Sequence, residues 1–174
     1  VEAVRELLYS QSGSRISLPY GVTAGRDFDR IFIKGGGATE EETKPEAQVI
    51  EIPGEYCLGV GGETLHVRVF SYKKNAEIPK NEYTKWYDYD KIVECLRVRT
   101  RQTGDYLTIR GNNTMQHKKL KDYMVTEKIP KGERDRIPVL ADGNHVLWLA
   151  GYRISEHYKV TINTEKILQV RWVK

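Results

Sequence analysis

Two cysteines in 174 residues, Cys57 and Cys95, are too few and too widely separated for a disulfide scaffold or a paired-thiolate zinc site. No stretch approaches the roughly 20 consecutive apolar residues of a membrane-spanning helix. The opening Val1-Glu2-Ala3-Val4-Arg5-Glu6 has no initiator methionine and no apolar signal core, so no export signal is expected. Gly59-Val60-Gly61-Gly62 does not complete a dinucleotide fingerprint, and Gly35-Gly36-Gly37 is followed by acids where a phosphate cradle needs a helix start. The four histidines, His66, His117, His145 and His157, are scattered without metal-ligand spacing. Ser12-Gly13-Ser14 has no partner base that spacing could supply. These absences point away from a secreted, membrane-spanning or self-contained catalytic chain. They favour a soluble globular piece from a reducing compartment, cut from something longer.

What is present begins with size and charge. A chain of this length buries about 70% of its unfolded surface and needs no covalent staple. Residues 1–88 hold 11 Lys and Arg against 14 Asp and Glu, a net of −3, whereas residues 89–174 hold 17 against 10, a net of +7. Such asymmetry suggests a polyanion-facing part joined to a neutral or acidic one.

Residues 1–9 have the pattern of a helix end, with Val4, Leu7 and Leu8 on one side. From Gln11 onward the patterning is that of strands. Ile16, Leu18 and Tyr20 alternate with smaller or polar residues, and 28–33 is rich in β-branched and aromatic residues. In 63–72, Leu65, Val67 and Val69 share a face. Residues 35–47 form an acidic, glycine-rich loop that composition marks as mobile, and Pro53-Gly54 and Gly61-Gly62 are turn signals. Tyr83, Trp86, Tyr87 and Tyr89 form an aromatic cluster suited either to base stacking or to packing against the second half.

In that half, Leu96, Val98 and Thr100 alternate with Arg97, Arg99 and Arg101, Gly104-Asp105 marks a turn, and 106–110 returns as a strand. Residues 117–127 fit a helix that buries Leu120, Tyr123 and Met124 and ends before Pro130. Val139–Ala141 and Val146–Ala150 flank Asp142-Gly143-Asn144 as a hairpin, and 167–173 is a last strand. The expected class is α+β and β-rich with short helices.

The cations fall into three sets. The strand arginines recur every two residues, about 7 Å apart along a strand, a step close to that between successive phosphates of a nucleic acid, and guanidinium forks suit phosphate oxygens. Lys118, Lys119 and Lys121 lie on the expected helix, and Lys128, Lys131, Arg134 and Arg136 follow around Pro130–Pro138. The alternative is an internally neutralised surface. Asp122 stands at helical spacing from Lys118 and Lys119, Asp105 is near the strand arginines, and Glu133 and Asp135 interleave with Arg134 and Arg136.

Several segments, taken in order, resemble one family. Leu96 to Leu107 is similar to an R-x-R-x-x-G-D segment, and Lys118-Lys119-Leu120-Lys121-Asp122-Tyr123-Met124 to a K-K-L-K-D helix. Lys128-Ile129-Pro130, Arg134 and Pro138-Val139-Leu140 resemble K-I-P…R…P-V-L, and Gly151-Tyr152-Arg153-Ile154-Ser155 resembles G-x-R-I-S. These belong to the C-terminal domain of the tRNA(Ile)-lysidine synthetases. Ser12-Gly13 before Ile16-Ser17-Leu18-Pro19, and Asp27-Phe28-Asp29, look like the family's entry into this region.

The resemblance implies residues 1–12 as the end of a preceding helical domain, 13–88 as an acidic β-rich part and 89–174 as a basic tRNA-binding part, with 13–174 as one domain the alternative. It implies a three-layer β-sandwich-like fold shared with a phenylalanyl-tRNA synthetase subunit. The implied activity is ATP-dependent ligation of lysine to C2 of the wobble cytidine, which changes decoding from AUG to AUA. The implied partners of the full-length enzyme are an isoleucine tRNA with a CAU anticodon, free lysine, ATP and Mg, in the cytoplasm, with homodimerisation open.

The S-G-G-x-D-S signature of the ATP-handling domain is missing here, so this part is expected to carry no catalytic, cofactor-binding or metal residue and to be inactive alone. It would contact the tRNA on the acceptor-stem side, through Arg99, Arg101, Lys118, Lys119, Lys121, Lys128, Arg134 and Arg153. Gly104-Asp105 is expected to be a structural turn. A non-catalytic protein-docking module is the competing function, motivated by the acidic first half and the aromatic cluster. An independent enzyme is the third.

Overall fold

A computed structural model describes residues 2–35, 46–57, 63–74, 76–81, 83–112 and 114–173. The chain divides into two compact units, Val1–Lys44 with Met124–Asp135, and Pro45–Tyr123 with Arg136–Lys174. The acidic segment 45–88 thus shares a unit with most of the basic half. The core of the acidic loop expected at 35–47, and the Gly61-Gly62 turn, lie outside the described residues.

In the first unit, α1 (Glu2–Glu6) leads into an antiparallel sheet of β1 (Arg15–Ser17), β2 (Thr23–Asp27) and β3 (Arg30–Lys34). Leu7 is buried, but Leu8 is 55% exposed, so the apolar side is narrower than the helical pattern suggests. The Arg26 guanidinium donates to the carbonyls of Leu8, Ser10 and Phe28, which ties the end of the helical segment to the sheet. Gly25 lies opposite Phe32 across β2 and β3, and a Cβ there would stand 2.5 Å from the Phe32 ring. Two expectations fail locally. Phe28 lies in the β2–β3 turn at φ 55°, outside any strand. Tyr20 is 95% exposed in a 3-10 turn after β1 and does not continue an alternating face.

The second unit contains β4 (Gln48–Val49), β5 (Gly54–Cys57), β6 (Thr64–Ser71), β7 (Thr84–Asp88), β8 (Leu96–Arg99), β9 (Tyr106–Arg110), β10 (Met115–Lys119), β11 (Val139–Asp142), β12 (His145–Leu149), β13 (Arg153–Ile154) and β14 (Lys166–Val173). The helix α2 (Leu120–Thr126) follows β10 directly. Four strands form a sheet in the order β5-β6-β14-β7, and seven form another in the order β10-β9-β12-β11-β8-β4, with β13 on β12. The inward faces of the two sheets meet in one core. Leu65 and Val67 of β6, Tyr87 of β7, and Leu168, Val170 and Trp172 of β14 pack with Leu96, Val98, Leu140, Leu147 and Trp148 of the larger sheet. Trp148 and Trp172 meet edge to face, with ring centroids 5.5 Å apart. The β-rich class with few short helices therefore stands.

Two features of the larger sheet differ from the sequence expectation. Residues 117–119 belong to a strand, not a helix. β10 pairs with β9 over five residues, from Met115↔Arg110 to Lys119↔Tyr106, and only at Leu120 does the chain turn helical. The pairing satisfies the backbone groups along the edge of β9, a nonlocal gain that outweighs local helical patterning. β9 also does not pair with β8. The β11–β12 hairpin lies between them, with Asp142↔His145 closing its turn and Gly143 at φ 58°, a backbone region that glycine enters without a Cβ penalty.

Candidate nucleic-acid interface

The strand arginines do not form the surface row that alternation suggests. Arg97 is exposed, Arg101 is half-buried, and Arg99 is 4% exposed. Arg99 donates through Nη1 and Nη2, at 2.8 Å each, to the two carboxylate oxygens of Asp105. It also donates to the carbonyls of Gly143 at 2.8 Å and Thr100 at 3.1 Å. Asp105 further accepts the Gln102 N–H at 2.7 Å. The guanidinium thus bolts the end of β8 to the 104–105 turn and to the hairpin turn, and no donor is presented to solvent as a phosphate contact requires. This corrects the assignment of Arg99 to the RNA-facing set. Gly104-Asp105 is the structural turn anticipated, and Asp105 holds a strand arginine.

Lys118 and Lys119 end β10, and Lys121 follows Leu120 in the first turn of α2. Lys119 and Lys121 are exposed and Lys118 is half-buried. Among the described residues β10 pairs with β9 alone, so these cations sit at a sheet edge. β8 lies four strand positions away, about 19 Å at the usual spacing, so the arginine and lysine sets do not merge.

In the first unit, Lys128 is exposed just past α2 at φ 54°. Arg134 is half-buried, its Nε donating to the Ile129 carbonyl at 2.8 Å and its guanidinium lying 5.9 Å from the Phe28 ring centre. Arg153, on β13, reaches Glu156 at 3.3 Å, and Lys159 reaches the same carboxylate oxygen at 2.7 Å. Burial pushes the Glu156 carboxyl upward, but these two cations outweigh it and hold it below its ordinary value.

The sequence gives no sign that three of the scattered histidines meet. Tyr106 of β9 stacks with both His117 of β10 and His145 of β12, at centroid distances of 4.7 and 4.5 Å, and the two imidazoles lie 5.8 Å apart. His157 lies 4.9 Å from His145, and Tyr158 packs against both. The His145 Nε2 lies 2.9 Å from the Thr108 hydroxyl and 3.2 Å from that of Ser155, both buried. Burial and then the neighbouring imidazoles lower His145 from 6.5 to about 4, against the opposing pull of Asp142. His157 is lowered too, by burial first and then by Lys91 and His117. His117 and His145 are brought together by strand register and His157 by the turn after β13, neither of which local spacing reveals.

The aromatic cluster around β7 divides. Tyr87 is fully buried in the core, Trp86 meets Phe70 edge to face at 5.2 Å, and Tyr83 is exposed. Among the described residues no group of three His, Cys, Asp or Glu side chains is placed to hold a metal ion. None of their helices is long and apolar enough to cross a membrane.

The β-rich unit with lysines along one edge strand holds most of residues 96–172, which match the family model described as the TilS substrate C-terminal domain. A solved structure titled "Crystal structure of TILS C-terminal domain" superposes with a TM-score of 0.57 at 23% identity, covering 73% of this chain and 95% of that one, a likeness of fold. Over its whole length the chain is 36% identical to the tRNA(Ile)-lysidine synthase of Caldanaerobacter subterraneus subsp. tengcongensis. Over 99% of its length it is 33% identical to that of Dehalococcoides mccartyi. The chain belongs to the tRNA(Ile)-lysidine synthase family. It spans 36% of the length of each of these two relatives.

Proposed function

We propose that this chain is the tRNA-gripping C-terminal region of a cytoplasmic tRNA(Ile)-lysidine synthase. In this reading it holds an isoleucine tRNA with a CAU anticodon on its acceptor-stem side, while ATP-dependent ligation of lysine to the wobble cytidine takes place in a part of the enzyme outside this chain. ATP, Mg and free lysine act there, and no chemical step is assigned to the residues described here. The observation that carries the reading is the run Lys118, Lys119 and Lys121 on an edge strand and the helical turn after it, inside the family-matched segment. An A-form acceptor stem offers side chains its phosphates, 2′-hydroxyls and shape rather than readable base edges. Cations on a rigid edge suit that task, because phosphate contacts fix register more than sequence. Lys128, Arg101 and Arg153 remain as candidate further contacts.

The test is retention of tRNA by this chain as salt is raised. The logarithm of affinity should fall linearly with the logarithm of salt, with a slope of about 0.7 to 0.9 per phosphate contact. Changing Lys118, Lys119 and Lys121 together to Glu should abolish retention while the chain remains folded. Unchanged retention and slope would reject the assignment, and cross-links from 118–136 to another protein would favour the docking alternative.

A further inference from the structure

We propose that the ring cluster of His117, His145 and His157 extends the basic edge into a phosphate-binding site, and that gripping an RNA strand there draws protons from solution. The inference rests on the tRNA-binding reading and adds a contact surface and a linkage that reading does not contain.

The geometry comes first. His117 and Lys119 are two residues apart on β10, so they project from the same face about 7 Å apart, and both are exposed. That face carries Tyr106 and Thr108 of β9, opposite Lys119 and His117 respectively. A backbone that sets one phosphate on Lys119 brings its neighbour to His117. From His117 the rings of Tyr106, His145 and His157 continue in contact, and His157 is again exposed. The cluster thus opens to solvent at both ends, while its middle ring is held on the hydroxyls of Thr108 and Ser155.

The charge balance explains why an anion is the fitting occupant. Three imidazoles whose centroids lie 4.9 to 5.8 Å apart from one to the next resist being charged together. The internal acids that face them are already engaged. Asp142 of β11 accepts the N–H groups of Val93 and Glu94 and the Tyr158 hydroxyl. Asp88 of β7 accepts the Thr164 hydroxyl and pairs with Lys91 at 3.3 Å. Glu156 is held by Arg153 and Lys159, and Lys91 adds positive charge beside His157. Tyr158 supplies no charge near neutrality, since burial pushes its phenol upward from an ordinary value near 10. Burial and the neighbouring positive groups outweigh the pull of Asp142 and Asp88 on His145 and His157, so these acids do not suffice to charge the rings. A phosphate row supplies a counterion from outside, and by linkage whatever stabilises the protonated form is itself bound more tightly when protons are available.

The experiment is calorimetric titration of the chain with isoleucine tRNA at fixed salt and pH 6.5, in two buffers of different ionisation enthalpy. It is accompanied by binding measurements from pH 8.0 to 6.0. We expect the observed heat to depend on the buffer with the sign of net proton uptake. Affinity should rise about fivefold to tenfold as pH falls across that range. The double variant H117Q/H157Q, with its fold checked by thermal melting at pH 8.0, should lose both the buffer dependence and the rise. Salt-sensitive tRNA binding with no proton uptake would overturn this inference and leave the proposed function standing. Absence of tRNA binding at both ends of the pH range would overturn the two together, and uptake that persists in the double variant would move it off these histidines.

Discussion

Replacing Asp105 with Ala tests whether Arg99 is a brace or an RNA contact. Both side chains are essentially removed from water, Arg99 at 4% and Asp105 at 0% exposure. They share two hydrogen bonds of 2.8 Å, each between charged groups, a geometry in which bonds are roughly twice as strong as neutral ones. Removing the carboxylate leaves a buried guanidinium with two backbone carbonyls as its remaining acceptors, and it orphans the Gln102 N–H. Breaking one side of such a pair costs about 3–5 kcal/mol. For a chain of this size that lowers the melting temperature by roughly 10 °C. Urea denaturation measures the loss directly. The double variant R99M/D105L, which replaces the pair by apolar volume, should recover most of it, because the desolvation of both charges disappears together with their attraction. If D105A melts within a degree of the wild type while R99M abolishes tRNA binding, the brace reading is wrong and Arg99 belongs back among the contacts.

Further outcomes follow from the same geometry. His145 is neutral in the fold down to about pH 4 but takes up a proton near 6.5 when unfolded. The unfolded state therefore binds more protons in that window, and stability is lost as pH falls from about 6.5 to 4. The full shift corresponds to about 3 kcal/mol, which solvent screening at a half-buried ring reduces to about 1–2. Urea midpoints at pH 7 and 4.5 should show this loss, and H145Q should flatten it. Leu168 is fully buried in the shared core, so L168A should cost about 2–5 kcal/mol in the same assay. Lys119 lies on the His117 face of β10, whereas Lys118 lies on the other. K119E should therefore weaken tRNA binding more than K118E and lower the salt slope by about 0.7–0.9, as filter binding at several salt concentrations would show.

Much of the fold was legible wherever one face of a strand is buried. Leu65, Val67, Leu168, Val170 and Trp172 announce β6 and β14 by strict alternation, and Asp142-Gly143-Asn144 announces the β11–β12 turn. The pairing partners were not legible, because the hairpin that separates β8 from β9 comes some thirty residues later in the chain. Residues 117–119 carry no local mark of a strand, because Lys118-Lys119 run without a break into the helix that starts at Leu120, and only the open edge of β9 draws them into the sheet. The lysine edge was visible as composition and as motif. The burial of Arg99 was not, since alternation places it with the polar residues, and the histidine cluster depends on register for His117 and His145 and on the turn after β13 for His157.

Arg99 and Lys119 carry the same charge and lie in the same sheet, yet the fold gives them opposite work. On the interior side β8 is flanked by β4 and β11, and β11 and β12 are buried throughout except at the half-buried His145. A cation directed into such surroundings must find its counterion within the chain, and Arg99 finds Asp105. At the edge β10 has one neighbour among the described residues, its residues other than the half-buried Lys118 are exposed, and the Lys119 ammonium keeps its hydration until an external anion displaces it. In the proposed function, desolvation therefore sorts the basic residues before any RNA arrives. The interior cation rigidifies the sheet, and that rigidity keeps the edge cations at the fixed spacing a phosphate backbone can match. The net positive charge of the second half thus overstates the number of cations open to an external anion, because part of it is structural. Strand position separates the two kinds of cation where charge counting does not.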